Sequence, residues 1–430
     1  MEIKHILAFV IIVLFFGYFF LHKFPRKSYL LFLLIFFPFI DLNITSDKFG
    51  SISVFHFISY FVFLFALEDF FYSSRGRNVY HVLFSVLTGL LFIGSIISEF
   101  IGNSLIEFFK YLSIFIYAKL LIDECLNDSD FIKLVIKSLK FSCILSFVFL
   151  LIQIFVGTRF SFYPDLNPNT YMGLEDNVFR YPSYFQDPQK YGQYLSMLGF
   201  LFLMNRENKT TPGTLNVVLF ILVVLAILLT GGRAALLGLF AGVLIIILNK
   251  KSKVWIIAIS FCLIGYFIIS NFSSYFSLFN RAEDFNTSFL DRYEIWNEGL
   301  QIFFTKPLLG IGIGNHHDYI VNHSFSGYYL IDNEIVYYGA ESGYLQILIE
   351  FGILGFIFVF SLILMPVINA IRSYKHSHNI NIILLIASVI SWMIAYITTN
   401  SLSDMRILVL VITLLSLLIV AKDSPKAIYV

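Results

Sequence analysis

Charge and cysteine are what this chain has least of. Of its 430 residues only 13% are Asp, Glu, Lys or Arg, and only three are cysteine. Cys143 and Cys262 fall in apolar runs and Cys125 in a polar connection, with no CxxC pair and no even-numbered framework. Neither a disulfide scaffold nor a thiolate metal site is therefore indicated. Nothing repeats at a fixed period, and no low-complexity stretch or linker divides the chain, so residues 1–430 read as one integral domain. The formal net charge of +1 identifies no partner, and nucleic acid is not expected as one.

What the chain has instead is apolar surface. It is 58% hydrophobic and carries 51 Phe. A soluble core cannot hide that much in one domain, whereas a bilayer does not require it hidden. The expected fold class is all-α, a polytopic membrane helical bundle of about 12–14 transmembrane helices. Apolar runs fall near 5–21, 28–41, 51–67, 80–98, 105–122, 138–157, 190–204, 215–231, 233–249, 254–270, 343–366, 381–398 and 407–421. No small-residue cleavage site follows Ile6–Leu21, so it reads as a retained first helix rather than a signal peptide.

Orientation follows from Lys and Arg, which resist translocation. One alternate set of connections, with the C-terminal tail, holds seventeen of the 29 basic residues, among them Arg26, Lys27, Lys133, Lys250, Lys251, Arg372 and Lys422. The short connections of the opposite set, with the N-terminus, hold Lys4, Lys48 and Arg406, besides Arg233 in the 231–233 turn. The basic set is expected in the cytosol together with the C-terminus. Both long loops, 158–189 and 271–342, and the Gly231–Arg233 turn then share the outer face. Loops of that length usually bind or catalyse.

Arg233 stands between two apolar helices in Thr230-Gly231-Gly232-Arg233-Ala234-Ala235. It reads either as an interfacial anchor or as an anion-binding Arg at a helix start. Arg180, in a segment broken by Pro182 and Pro188, reads either as a solvated loop Arg paired with Asp187 or Glu175 or as part of an aromatic-rich interfacial loop. A helix is expected over 288–305, opened by a Ser288-x-x-Asp291 capping signature and ended by Lys306-Pro307. Phe289, Tyr293, Trp296, Leu300 and Phe303 would form its apolar face, flanked by a stripe of Ile295 and Ile302 that Arg292 shares. The loop also holds Arg281.

Gly310-Ile311-Gly312-Ile313-Gly314-Asn315 has the wrong spacing for a dinucleotide fingerprint and reads as a flexible turn or a backbone anion nest. His316, His317 and His323 follow without a metal-ligand pattern, and no metal or other cofactor is expected. Glu341 precedes Ser342-Gly343-Tyr344-Leu345-Gln346 at the mouth of the eleventh span, and Glu350 lies deeper, on the face of Gly343 and Gln346. So deep a carboxylate implies an internal donor.

Three blocks carry a resemblance: Thr230–Gly238; Arg292-Tyr293-Glu294-Ile295-Trp296 running into Pro307–Asn315; and Glu341–Gln346 with Glu350–Gly355. With a weaker echo over Arg180–Leu195, they resemble the O-antigen ligase and O-antigen (Wzy-type) polymerase superfamily over roughly the C-terminal half. The resemblance implies a C-type glycosyltransferase-like bundle with a large outer loop. It implies a bacterial plasma-membrane enzyme that uses an undecaprenyl-diphosphate-linked glycan donor and acceptor at the outer face without metal. A chain-length regulator, a flippase and membrane lipids are the expected partners. Arg233, Arg292 and, beyond them, Arg180 and Arg281 are implied as diphosphate ligands. Tyr344, Gln346 and Asn315 are secondary substrate contacts. Family ligases carry a His-Asn pair where this chain has Glu341-Ser342, which favours a polymerase over a ligase.

The chemistry agrees with that expectation. Arginines can hold a departing diphosphate, and an acceptor hydroxyl needs a base within reach. Glu341 is the first candidate, with His316 and His317 as rivals. The rival class is a polysaccharide flippase, which would call for twofold internal symmetry and charges near the midplane; here the polar elaboration lies on one face.

Overall fold

The structure, a computed structural model, describes residues 3–21, 25–44, 52–65, 79–157, 180–205, 212–248, 285–323, 325, 328–331, 334–337 and 339–423. The expected span 254–270, Arg281, Cys262, and the segments 158–179 and 271–284 of the two long loops lie outside these residues.

The described chain is helical: α1 (Ile3–Leu21), α2 (Pro25–Ile35), α3 (Val54–Phe65), α4 (Val79–Ile97), α5 (Ile101–Asn127), α6 (Ser129–Val156), α7 (Pro188–Phe202), α8 (Thr214–Thr230), α9 (Arg233–Leu248), α10 (Phe285–Thr305), α11 (His316–Asn322), α12 (Gly343–Ser377), α13 (Ile380–Ala395) and α14 (Met405–Asp423). One antiparallel hairpin, β1 (Tyr328–Ile331) and β2 (Glu334–Tyr337), interrupts it, with Tyr328 opposite Tyr337. Among the described residues, five helices are long and apolar enough to cross a bilayer (α1, α4, α6, α12 and α14), and α3, α8, α9 and α13 are shorter apolar helices. This is a polytopic membrane helical bundle.

Local chemistry sets the helix ends. Asp128 caps α6, its Oδ1 accepting from the Asp130 N–H at 2.9 Å. Asp187 caps α7 with Pro188 at the first helical position, where a missing N–H has no consequence. Gly231, left-handed at φ 63°, closes α8 and lets α9 start two residues later. In the bundle, α9 lies so close to α13 that a Cβ on Gly238 would overlap the Ser391 carbonyl, and one on Gly242 would lie 2.9 Å from the Ala387 carbonyl oxygen. Glycines four apart let two helix backbones meet in this way.

The eleventh span, expected as one continuous run over 343–366, is broken. Gly352 adopts φ 66°, ψ −176°, a region essentially confined to glycine. The break frees backbone groups, and the 307–314 strap satisfies them. Ile311 and Gly312 N–H donate to the carbonyls of Ile349 (3.0 Å) and Glu350 (3.1 Å), while Ile353 and Leu354 N–H donate to Pro307 (2.8 Å) and Leu308 (3.3 Å). Irregular backbone at membrane depth is stable only when buried and paired in this manner. Sequence periodicity could not show it, because the apolar run continues on both sides of Gly352.

The helix expected at 288–305 begins three residues earlier, so Ser288 lies inside α10 and is not its cap. Its buried side also differs from the expected face. Tyr293, Leu300 and Phe304 are exposed, while Gly299 and Ile302 are buried against Leu345 and Ile349 of α12. Arg292 lies on that inward stripe.

Candidate functional site

Arg180 is 6% exposed and its Nε donates to the Thr230 carbonyl at 2.8 Å, beside a Tyr181 N–H bond to Leu229. It is thereby docked on the α8–α9 turn that carries Arg233, three residues beyond Thr230. Asp187, one of the two partners expected for Arg180, caps α7, and the other, Glu175, lies outside the described residues. Arg233 opens α9. A cation in the first turn opposes the helix dipole, so an anion bridging Arg233 and the helix N-terminus would relieve that arrangement.

Arg292 and Glu341 form the second element. Arg292 Nε donates to Glu341 Oε2 at 3.0 Å, with the two side chains 32% and 37% exposed. At that exposure the pair is worth no more than about 1 kcal/mol, so a better anion can displace the carboxylate. Glu341 sits at φ 44°, the left-handed region, immediately before Ser342, the N-cap of α12. A non-glycine residue held there costs on the order of 1–2 kcal/mol, and such outliers concentrate at working sites.

The two elements flank one turn. The Cα of Gln189 lies beside Gly232, and the Gln189 side chain meets Thr399 Oγ1 at 3.3 Å. Three residues before Thr399, the Tyr396 ring packs on Gly343, leaving no room for a Cβ there, two residues from Glu341.

The glycine-alternating turn does form an anion nest, but for the protein's own carboxylate. Glu350 accepts backbone N–H bonds from Gly314 and His316 and a Gln346 Nε2 bond of 2.6 Å. Glu350 thus has its internal donors, and Gln346, expected at substrate, supports it while also accepting the Ala340 N–H at 3.3 Å. Asn315 is fully buried and ties the strap to α5 through Asn103, whose Nδ2 donates to Asn315 Oδ1 at 3.1 Å. The Tyr344 hydroxyl donates to the Met393 carbonyl at 2.9 Å. His316 is 6% exposed, and burial, with a contribution from His317, pushes its imidazole down to about 4. His317 is exposed, 3.6 Å from Asp318, and His323 stacks on Tyr319 with ring centroids 4.0 Å apart.

One cluster escaped the sequence reading. Arg406, counted there only as a charge that marks a side, is fully buried. It bonds Asp404 through Nε (2.9 Å) and Nη2 (2.6 Å), Asp41 through Nη2 (3.2 Å) and the Tyr184 carbonyl through Nη1 (2.6 Å). Its guanidinium lies 4.5 Å above the Phe185 ring. The signal in sequence was Asp404-x-Arg406 at the start of the last apolar run, where an Arg needs a partner. This cluster ties the Arg180-bearing segment to α14 and to the turn after α2.

The fold defines an integral membrane protein, with Arg180 docked on the α8–α9 turn and Arg292 paired to Glu341 at the start of α12. Residues 218–360 match the family model of O-antigen ligase, Wzy_C, a match that supports the O-antigen ligase and polymerase superfamily. The matched segment contains Arg233, Arg292 and Glu341. That match broadly supports a membrane glycosyltransferase-like activity of ligase or polymerase type, with lipid-linked glycans as the implied substrates. No curated protein matches the chain.

Proposed function

We propose that this protein polymerises undecaprenyl-diphosphate-linked repeat units of a surface polysaccharide at the outer face of a bacterial plasma membrane. The observation that carries the reading is the Arg292–Glu341 pair, placed on a strained residue at the mouth of α12 inside the segment that matches the family. In this reading Arg233, Arg292 and Arg180 hold the donor diphosphate, and Arg281 is a further proposed ligand. Bidentate guanidinium–phosphate bonds compensate the charge that develops on the leaving oxygen.

Donor binding supplies Arg292 with a doubly charged partner and releases Glu341. The freed carboxylate takes the proton of the acceptor hydroxyl as its oxygen attacks the anomeric carbon. The bond from that carbon to the diphosphate breaks, undecaprenyl diphosphate leaves with the electron pair, and configuration inverts. His316 is buried and His317 pairs with Asp318, so Glu341 is the better placed of the three candidates. A chain-length regulator and a flippase are the expected partners.

A ligase is the second reading, favoured by the description of the matching family. Lipid-linked glycan from a deletion strain separates the two. Accumulated single repeats indicate a polymerase, long unattached chains a ligase, and material retained on the cytosolic side a flippase.

A further inference from the structure

A cavity of about 650 Å³ runs through the bundle and is lined by none of the described site arginines. Its deep wall is one face of α14: Leu408, Val411, Ile412, Leu415 and Ile419, at three- and four-residue spacing. From Leu408 to Ile419 that face is about 16 Å long, at 1.5 Å per residue, or roughly half the hydrocarbon thickness of a bilayer. Leu87 and Leu91 of α4, Ile114 and Ile122 of α5, and Leu362 and Ile363 of α12 complete an apolar shaft.

The opposite end is polar. Asp41, Glu107, Lys110, Gln346 and Glu350 line it, with Trp392 and Tyr396 beside them. His56 lines it as well and is 5% exposed. His56 Nδ1 accepts the Ser53 backbone N–H at 3.1 Å, so the ring hydrogen is on Nε2. Nε2 is buried and has no hydrogen-bond partner, a deficit of about 1–3 kcal/mol.

We infer that this cavity seats the lipid-linked acceptor glycan, with its hydrocarbon chain along α14 and its oxygen-rich head at the His56–Lys110 rim. The inference rests on the proposed polymerase reading and deepens it, because polymerisation requires two lipid-linked substrates at once. The charge of the rim assigns the occupant. Three carboxylates and two ammonium groups, counting Lys4, line the cavity. That mixture does not select a naked diphosphate, whereas sugar hydroxyls both donate and accept. The arginine site, outside the cavity, is left for the donor.

The test uses the full chain in detergent with Ser416→Cys, a near-isosteric change at a buried position on the cavity lining, and Val411→Cys on the same face as a second position. Reaction with a small methanethiosulfonate is read against the parent protein, which supplies the background from the native cysteines. Undecaprenyl diphosphate carrying one N-acetylglucosamine, at ten times its Kd, should slow modification about tenfold, while phosphatidylglycerol at the same mole fraction should not. Equal protection by phosphatidylglycerol, no protection by the sugar-bearing lipid, or no reaction at either position in lipid-free protein would each overturn the inference. The readout involves no glycosyl transfer. Polymerisation without protection rejects the cavity assignment alone, and protection without polymerisation rejects the enzymatic reading alone.

Discussion

Gly310 and Gly352 meet backbone to backbone. A Cβ on Gly310 would lie 2.6 Å from the Gly352 nitrogen, and one on Gly352 would overlap the Leu308 carbonyl. This contact seats the strap in the break of α12, and through the strap it aims Gly314 and His316 N–H at Glu350. Gly352→Ala should therefore cost about 1–3 kcal/mol from backbone strain and a comparable amount from overlap. A fall in the thermal midpoint of the detergent-solubilised protein checks it, and an unchanged midpoint would rule out the broken helix.

The Arg406 cluster should be the more costly charge network to disrupt. Asp404→Ala leaves a guanidinium with no solvent exposure without its nearest described carboxylate, and removal of one member of a buried pair costs about 3–5 kcal/mol. Arg292→Ala, at a pair one-third exposed, should change stability by less than about 1 kcal/mol yet abolish polymerisation. Thermal midpoints and glycan chain length measured on both variants separate scaffold from site; the reverse order would invert the assignment.

Glu341→Gln keeps shape and hydrogen bonding but removes the proton acceptor. Turnover should drop by about 10²-fold or more, with donor binding retained. Arg233→Lys should also impair turnover, because an ammonium lacks the bidentate fork. Normal polymerisation by Glu341→Gln alongside an inactive His316→Ala or His317→Ala would transfer the base to the histidines.

Acid should loosen the outer end of the bundle through His316. Its folded pKa, about 4, lies below the unfolded value near 6.5, so the unfolded state takes up the proton first. The stability is intact above pH 6.5 and declines as pH falls toward 4. Thermal midpoints measured across that range should drop for the parent protein and show a shallower slope for His316→Gln. Parallel slopes would remove His316 from the account.

Sidedness is open to labelling. A cysteine at exposed Gly339 should react with an impermeant maleimide added to intact spheroplasts, and one at exposed His376 should react only after permeabilisation. The opposite pattern would place the arginine site in the cytosol and sink the proposed reaction.

The amino-acid sequence alone determined the class of fold and the ends of most helices. Hydrophobic run length is a local property that a bilayer reads directly, and Asp128, Asp187 and Gly231 act on residues next to them. It also placed Arg292 on an inward stripe and implied internal donors for Glu350, because helical periodicity and the cost of a buried charge are both legible in one segment. Tertiary structure decided the rest. The break at Gly352 depends on a strap about forty residues earlier, and the partner of Arg180 depends on the Thr230 carbonyl. The burial of Arg406 depends on Asp41, more than 300 residues away in the chain. A backbone carbonyl or a distant carboxylate becomes a partner only when packing brings it within about 3 Å, and no local pattern in the sequence encodes that distance.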